Sequence, residues 1–136
     1  MKVFLDVNIF MYAAGQPHAY QAPSAALLDQ VVAGTVEAVT NAEVLQEALH
    51  RFWRMGALRN GLVLCDHIVQ IVDTILPIEK ADLLLTRKLL EAHRHIEPRD
   101  AVHAAVMLNH GITHLYSYDR HFDLLTDLTR LEPPRH

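Results

Sequence analysis

Two acids each close a short apolar run: Asp6 ends KVFLD (2–6) and Asp119 ends THLYSYD (113–119). Both side chains therefore belong at the end of a buried strand. Asp100 stands at the mouth of a third apolar run, DAVHAAVM, in the first turn of a helix opened by Pro98. Glu47 lies a little over one turn into the helix that follows another strand, with Val44 and Arg51 one turn away on its face. Carboxylates gathered from four segments repel unless a hard cation holds them, and Mg²⁺ or Mn²⁺ takes oxygen ligands of this kind. An acidic pocket holding such a metal can cut nucleic acid.

Each acid also has a local use. Asp100 suits the positive end of a helix dipole, and Asp6 suits a cap for the helix beginning near Asn8. Glu47 suits an ion pair with Arg51, and Asp119 a turn in YDRHF. Only the joint pattern points to one pocket. The ten histidines, among them His93, His95 and His103, scatter without HExxH or a repeated ligand spacing, which disfavours zinc. His103 reads as a packed residue, or one that supports the site from behind, one turn beyond Asp100. The chain has neither a Gly-rich phosphate loop nor a Gly-x-Ser-x-Gly elbow.

The elements that must position these acids alternate. A helix runs from Val7 to Gly15, and a loop covers QPHAYQAP. A helix follows at 24–34, capped by Ser24 and closed by Gly34, then a strand at 35–40 and a helix at 41–56. The spacing predicts a helix over 60–74, with Val63, His67 and Ile71 along one side, and a strand at 75–78. Helices at 79–94 and 98–111 precede the strand at 113–119 and an edge strand at 129–133. Alternating strands and helices give an α/β sandwich around a mainly parallel central sheet, whose sites lie beyond the carboxyl ends of its strands.

The 136 residues suit a single domain, 1–136, and 51% hydrophobic content supplies a core. One cysteine, Cys65, excludes a disulfide framework. MKVFLD turns acidic too early for a signal peptide and no apolar run spans a bilayer, so a soluble, cytoplasmic protein with no membrane role is expected. A net charge of −4 argues against a protein that coats duplexes.

FLDVNIFMYA, TNAEVLQEALHR and RDAVHAAVMLNHGITHLYSYDRHFD resemble, in order and over Phe4 to about Pro133, the signature segments of PIN-domain proteins in the branch of VapC-type toxins. The resemblance implies a PIN-like three-layer sandwich and a metal-dependent ribonuclease. It also implies inhibition by a partner antitoxin and a homodimer. The family's four acids fall on Asp6, Glu47, Asp100 and Asp119, its small polar companions on Asn8 and Ser117, and a following acid on Asp123. Thr40–Asn41 stands where many relatives have Ser.

On that assignment Asp6, Asp100 and Asp119 hold Mg²⁺ or Mn²⁺, and Glu47 holds or deprotonates the attacking water. Asn8 and Ser117 orient the ligands. Arg51, Arg54, Arg59, Arg99 and Arg120 are candidate RNA contacts, with solvated faces as the alternative. ALHRFWRMGALR (48–59), with Phe52, Trp53 and Met55, and the helix at 24–34 are candidates for an antitoxin groove or dimer seam. Trp53 suits a core position equally well. Two other functions fit less closely: a phosphoacceptor or phosphatase domain, which would want a second Asp two residues after Asp6 or a late Lys, and a catalytically silent PIN-like binding module.

Overall fold

β1 (Lys2–Leu5) runs through the middle of the protein because Val3, Phe4 and Leu5 leave it no polar face. Strands covered on both sides read as such continuous apolar runs. In the computed structural model, which describes residues 1–135, β1 pairs in parallel with β2 (Glu37–Asn41) and with β4 (His114–Tyr116). β3 (Thr74–Leu76) extends the sheet beyond β2 and β5 (Thr129–Leu131) beyond β4, in the order β3-β2-β1-β4-β5. The sheet is thus parallel throughout, with β5 at an edge. His136, the last residue of the expected 1–136 domain, lies outside the described residues.

Helices α1 (Val7–Ala14), α2 (Gln21–Ala33), α3 (Ala42–Arg54) and α4 (Leu58–Ile71) pack among themselves, while α5 (Lys80–Ala92) pairs with α6 (Pro98–Asn109). Right-handed crossovers put the first four on one face of the sheet and the last two on the other. The result is the expected three-layer sandwich. In α6, Ala101, Ala104 and Ala105 are fully buried, and their small side chains let the helix lie close to its neighbours. Among the described residues no helix is long and apolar enough to cross a membrane.

Most element ends shift by one or two residues from the sequence reading, and three of the differences bear on packing or on the site. α2 starts at Gln21, so Ser24 is a buried first-turn residue rather than the cap, its hydroxyl 2.8 Å from that of Tyr118. α4 spans Leu58–Ile71 rather than 60–74 and buries Gly61, Leu64 and Ile68. Val63 is exposed, because the stripe chosen from the sequence lies beside the buried one. β4 keeps only three residues, since Ser117 to Asp119 turn away from the ladder with β1 into the site described below.

Gly61 lets α4 approach α3: a Cβ there would sit 2.9 Å from Phe52 Cβ and 3.5 Å from the Ala48 carbonyl oxygen. Overpacking costs about 1–3 kcal/mol, against a helix-propensity gain of up to about 1 kcal/mol for alanine. Gly61→Ala should therefore lower stability by about 1–2 kcal/mol in a urea titration. An unchanged midpoint would show that the two helices separate without cost.

Candidate active site

The strand order reverses between β1 and β4, and open α/β sheets bind ligands at such a switch point, beyond the carboxyl ends of the strands. Asp6 leaves β1 there and Ser117 to Asp119 leave β4 beside it, with the Asp6 N–H bonded to the Tyr116 carbonyl at 3.1 Å. Asn41 ends β2 and caps α3, placing Glu47 along the same edge. α6 points its N-terminus at it, bringing in Asp100.

A polar net fixes Asp6. The Val7 N–H donates to Asp6 Oδ1 at 2.8 Å, while the Ser117 hydroxyl donates to Oδ2 at 2.6 Å and the Asn8 amide at 3.3 Å. Ser117 Oγ in turn accepts from the Asp119 N–H at 3.0 Å, and Asn8 Oδ1 from the Tyr118 N–H at 3.3 Å. Asn8 and Ser117 thus tie the ends of β1 and β4 together. Asp123 lies farther out, paired with Arg130 at 3.0 Å, and Arg130 donates to the Ser117 carbonyl at 3.0 Å. Its link to the cluster runs through that guanidinium.

Glu47 is held from three directions. His103 Nε2 lies 3.1 Å from Oε1, Arg51 is 3.0 Å from Oε2 and Arg99 4.0 Å from it. Burial alone would raise this carboxyl, but the His103 hydrogen bond and the two guanidinium charges outweigh it and hold Glu47 below its ordinary range. Asp6 goes the other way, raised by burial. Asp100 is pushed up to about 8, first by burial, then by the charge and shared hydrogen bond of Asp119, then by Asp6 and Glu47. Asp100 therefore feels the other three acids, which favours its protonated form.

Three of the acids also do the local job foreseen for them. Asp6 caps α1, Glu47 pairs with Arg51, and Asp119 accepts from the His121 N–H at 2.9 Å. Asp100 stands in the first turn of α6 as foreseen, and its closest charged neighbour there is Asp119. Arg51 and Arg99 reach the cluster, whereas Arg54, Arg59 and Arg120 are exposed and make no ion pair among the described residues. Trp53 is 62% exposed, stacked on His50 with centroids 5.8 Å apart, so its core reading is set aside.

Asn41 and His121 escaped the sequence reading as parts of the cluster, while His103 was foreseen as packed or supporting the site. Asn41 bonds His103, His103 bonds Glu47, and His121 Nδ1 lies 3.0 Å from Asp119 Oδ1. Potential metal donors form two groups with atoms within 4.8 Å of one another: Asp6, Glu47, His103 and Asp100, Asp119, His121. The Asp-x-His spacing in YDRHF was the one local signal for His121. Beside the acids opens a cleft of about 500 Å³ whose wall includes Asn8, Tyr12, His18, Arg51, Tyr118 and Asp119.

The Asp100 shift has a definite sign in stability. Between the ordinary carboxyl value of 3.8 and about 8 the folded protein holds a proton that the unfolded chain has released, so stability falls as pH rises through that window. Glu47, lowered from 4.5, acts in the opposite sense and only at acid pH. In chelator, the melting temperature should decline from about pH 5 to pH 8, and Asp100→Asn should flatten the decline. A wild-type profile that is level or rising would refute the clustering.

Residues 3–128 match the PIN domain family model. Ribonuclease VapC13 of Mycobacterium tuberculosis is 38% identical over 129 residues, 95% of this chain and 98% of that protein. Ribonuclease VapC23 of the same organism is 32% identical over 120 residues, 86% and 92% of the two chains. Among solved structures, M. tuberculosis VapC20, described as a toxin that cleaves the sarcin–ricin loop, has a TM-score of 0.79 at 19% identity and covers 96% of this chain and 99% of its own. VapBC2 of Rickettsia felis, bound to a DNA fragment from its promoter, has a TM-score of 0.75 at 16% identity, with 97% and 98% covered. The structural likeness supports the fold, and the family-model match, over residues 3–128, spans the segments that carry all four acids. The chain belongs to the PIN-domain family, in the branch that holds the VapC-type proteins.

Proposed function

We propose that this chain is a Mg²⁺- or Mn²⁺-dependent endoribonuclease, the toxin of a VapBC-type toxin–antitoxin pair, acting in the cytoplasm. One observation carries the metal dependence: Asp6, Asp100 and Asp119 gather charge that no arginine or lysine among the described residues offsets. Asp6 is held by neutral donors, Asp100 pairs with no arginine or lysine, and the nearby arginines are spent on Glu47. Oxygen-rich, proton-sharing carboxylates of this kind fit a hard divalent ion. Asp6, Asp100 and Asp119 would hold it, and when bound it supplies a more acidic water and charge neutralisation at the phosphate.

The chain's own residues account for the remaining steps. Glu47, ionised across the physiological range, accepts a hydrogen bond from the attacking water; its lowered pKa suits orienting that water better than storing its proton. Arg51 flanks the cleft and attracts the RNA backbone. Tyr12 and Tyr118 offer aromatic surfaces for bases of a single strand, the form in which RNA is read by stacking. The named activities of the VapC relatives support this reading.

The partner surface adjoins the acidic cleft, sharing Met11, Gly15 and Gln16 with it. Met11, Phe52, Met55, Val63 and His67 help line a cleft of about 600 Å³ between α1, α3 and α4. A neighbouring cleft of about 420 Å³ takes Ala25 and Leu28 from α2. An antitoxin segment with apolar anchors fits this face, and Trp53 with Arg54 at its margin has the aromatic and arginine character of an interface. The active form is taken to be a homodimer.

Experiments on the metal, on Asp100 and on Trp53 test the assignment. Purified protein should cleave RNA with Mg²⁺ or Mn²⁺ and stop in chelator, and millimolar Mg²⁺ should raise its melting temperature. Asp100→Asn should remove cleavage by orders of magnitude while leaving the metal-free fold at least as stable; near wild-type cleavage by that variant would sink the mechanism. Trp53→Ala should change stability by no more than about 0.5 kcal/mol yet weaken capture of the antitoxin encoded beside it at least tenfold. Unaltered affinity would remove Trp53 from the interface.

A further inference from the structure

His103 is fully buried on α6, its ring 5.2 Å from that of Phe4, and each ring nitrogen has one hydrogen-bond partner, with Asp6 Oδ1 a further 4.0 Å neighbour of Nε2. Nδ1 lies 3.0 Å from the Asn41 amide nitrogen, and Nε2 lies 3.1 Å from Glu47 Oε1. Which nitrogen carries the proton follows from a third bond. Asn41 Oδ1 accepts the Val44 N–H at 3.0 Å, as the N-cap of α3. With its oxygen committed to the helix, Asn41 turns its NH₂ toward the histidine. An NH₂ group can only donate, so Nδ1 must accept. The ring proton then sits on Nε2 and is donated to Glu47.

We propose that Asn41 and His103 are a positioning pair for catalysis: the α3 cap locks His103 in the Nε2–H tautomer, and this tautomer aims the Glu47 carboxylate. The role in turnover rests on the ribonuclease reading above; the tautomer does not. Asn41 and Glu47 belong to one helix, so a single amide both starts α3 and, through α6, fixes the side chain less than two turns along it. A second consequence follows. With Nε2 protonated and Nδ1 facing Asn41, His103 has no free lone pair for a metal, although it stands among the potential donors with Asp6 and Glu47. The ion is left to oxygen ligands, as Mg²⁺ or Mn²⁺ requires.

Long-range ¹H–¹⁵N correlation spectra of the full-length protein decide the tautomer. His103 should show an unprotonated Nδ1 and a protonated Nε2. Asn41→Asp keeps a capping oxygen but offers Nδ1 an acceptor, so in that variant Nδ1 should gain a proton. A wild-type ring protonated at Nδ1, or an Nδ1 that stays bare in the Asn41→Asp variant, overturns the proposal. Kinetics then separate positioning from packing. His103→Gln, whose amide nitrogen can replace Nε2–H, should keep kcat within about tenfold of wild type, while His103→Leu should lose about 100-fold with KM little changed. Equal activity of the two variants overturns the positioning role. Should the wild-type protein cleave no RNA at all, the ribonuclease reading fails and the spectra still decide the tautomer. Should both His103 variants fail to fold, the spectra remain decisive.

Discussion

Mutual repulsion among four carboxylates at one sheet edge is the constraint around which this protein is built. Asp100 retains its proton to about 8 because ionising it would place a further negative charge beside Asp119, Asp6 and Glu47 in a poorly hydrated site. Nothing in folding favours such an arrangement, and buried uncompensated charge is among the costlier features a domain can carry. The surroundings hold it in place. A central strand with no exposed side chain after Lys2, an alanine-lined α6 and the cross-strand bonds of Asn8 and Ser117 keep the acids from drifting apart.

Within that crowd the environment divides the carboxylates by role. Glu47 receives every nearby cation and a histidine hydrogen bond, and it is held ionised. Asp6 and Asp100, given neutral donors or another acid, are pushed toward the protonated form. Titratable neighbours whose environments drive their pKa values apart mark a division of chemical labour. On the proposed reading it separates a group that would orient water from groups that would hold a cation.

Topology explains why these residues meet. β1 and β4 are far apart in sequence yet adjacent in the sheet, and the chain leaves them on opposite sides of the order reversal. Their first residues past the ladder, Asp6 and Ser117, therefore face one another. The Asp6–Ser117 bond at 2.6 Å and the Arg130 bond to the Ser117 carbonyl at 3.0 Å then fix the relative height of the two strand ends. Any strand slip would separate the acids.

The alternation of strands and helices, the apolar run of β1, the Pro98 start of α6 and the end positions of Asp6, Asp100 and Asp119 were legible in the sequence, because period, caps and breakers act over a few residues. So was the family, through motifs that recur in order. Ser24, a convincing cap by local pattern, became a buried partner of Tyr118 because a tertiary hydroxyl bond claimed it. Trp53, equally suited to core or surface by composition, was placed outside by the way α3 packs. The joining of Asn41, Glu47 and His103 into one chain of hydrogen bonds, and the approach of Asp119 that raises the Asp100 pKa, belong to the tertiary structure alone. Hydrogen-bond partners and pKa values depend on distances between residues dozens of positions apart, and only the folded sheet sets those distances.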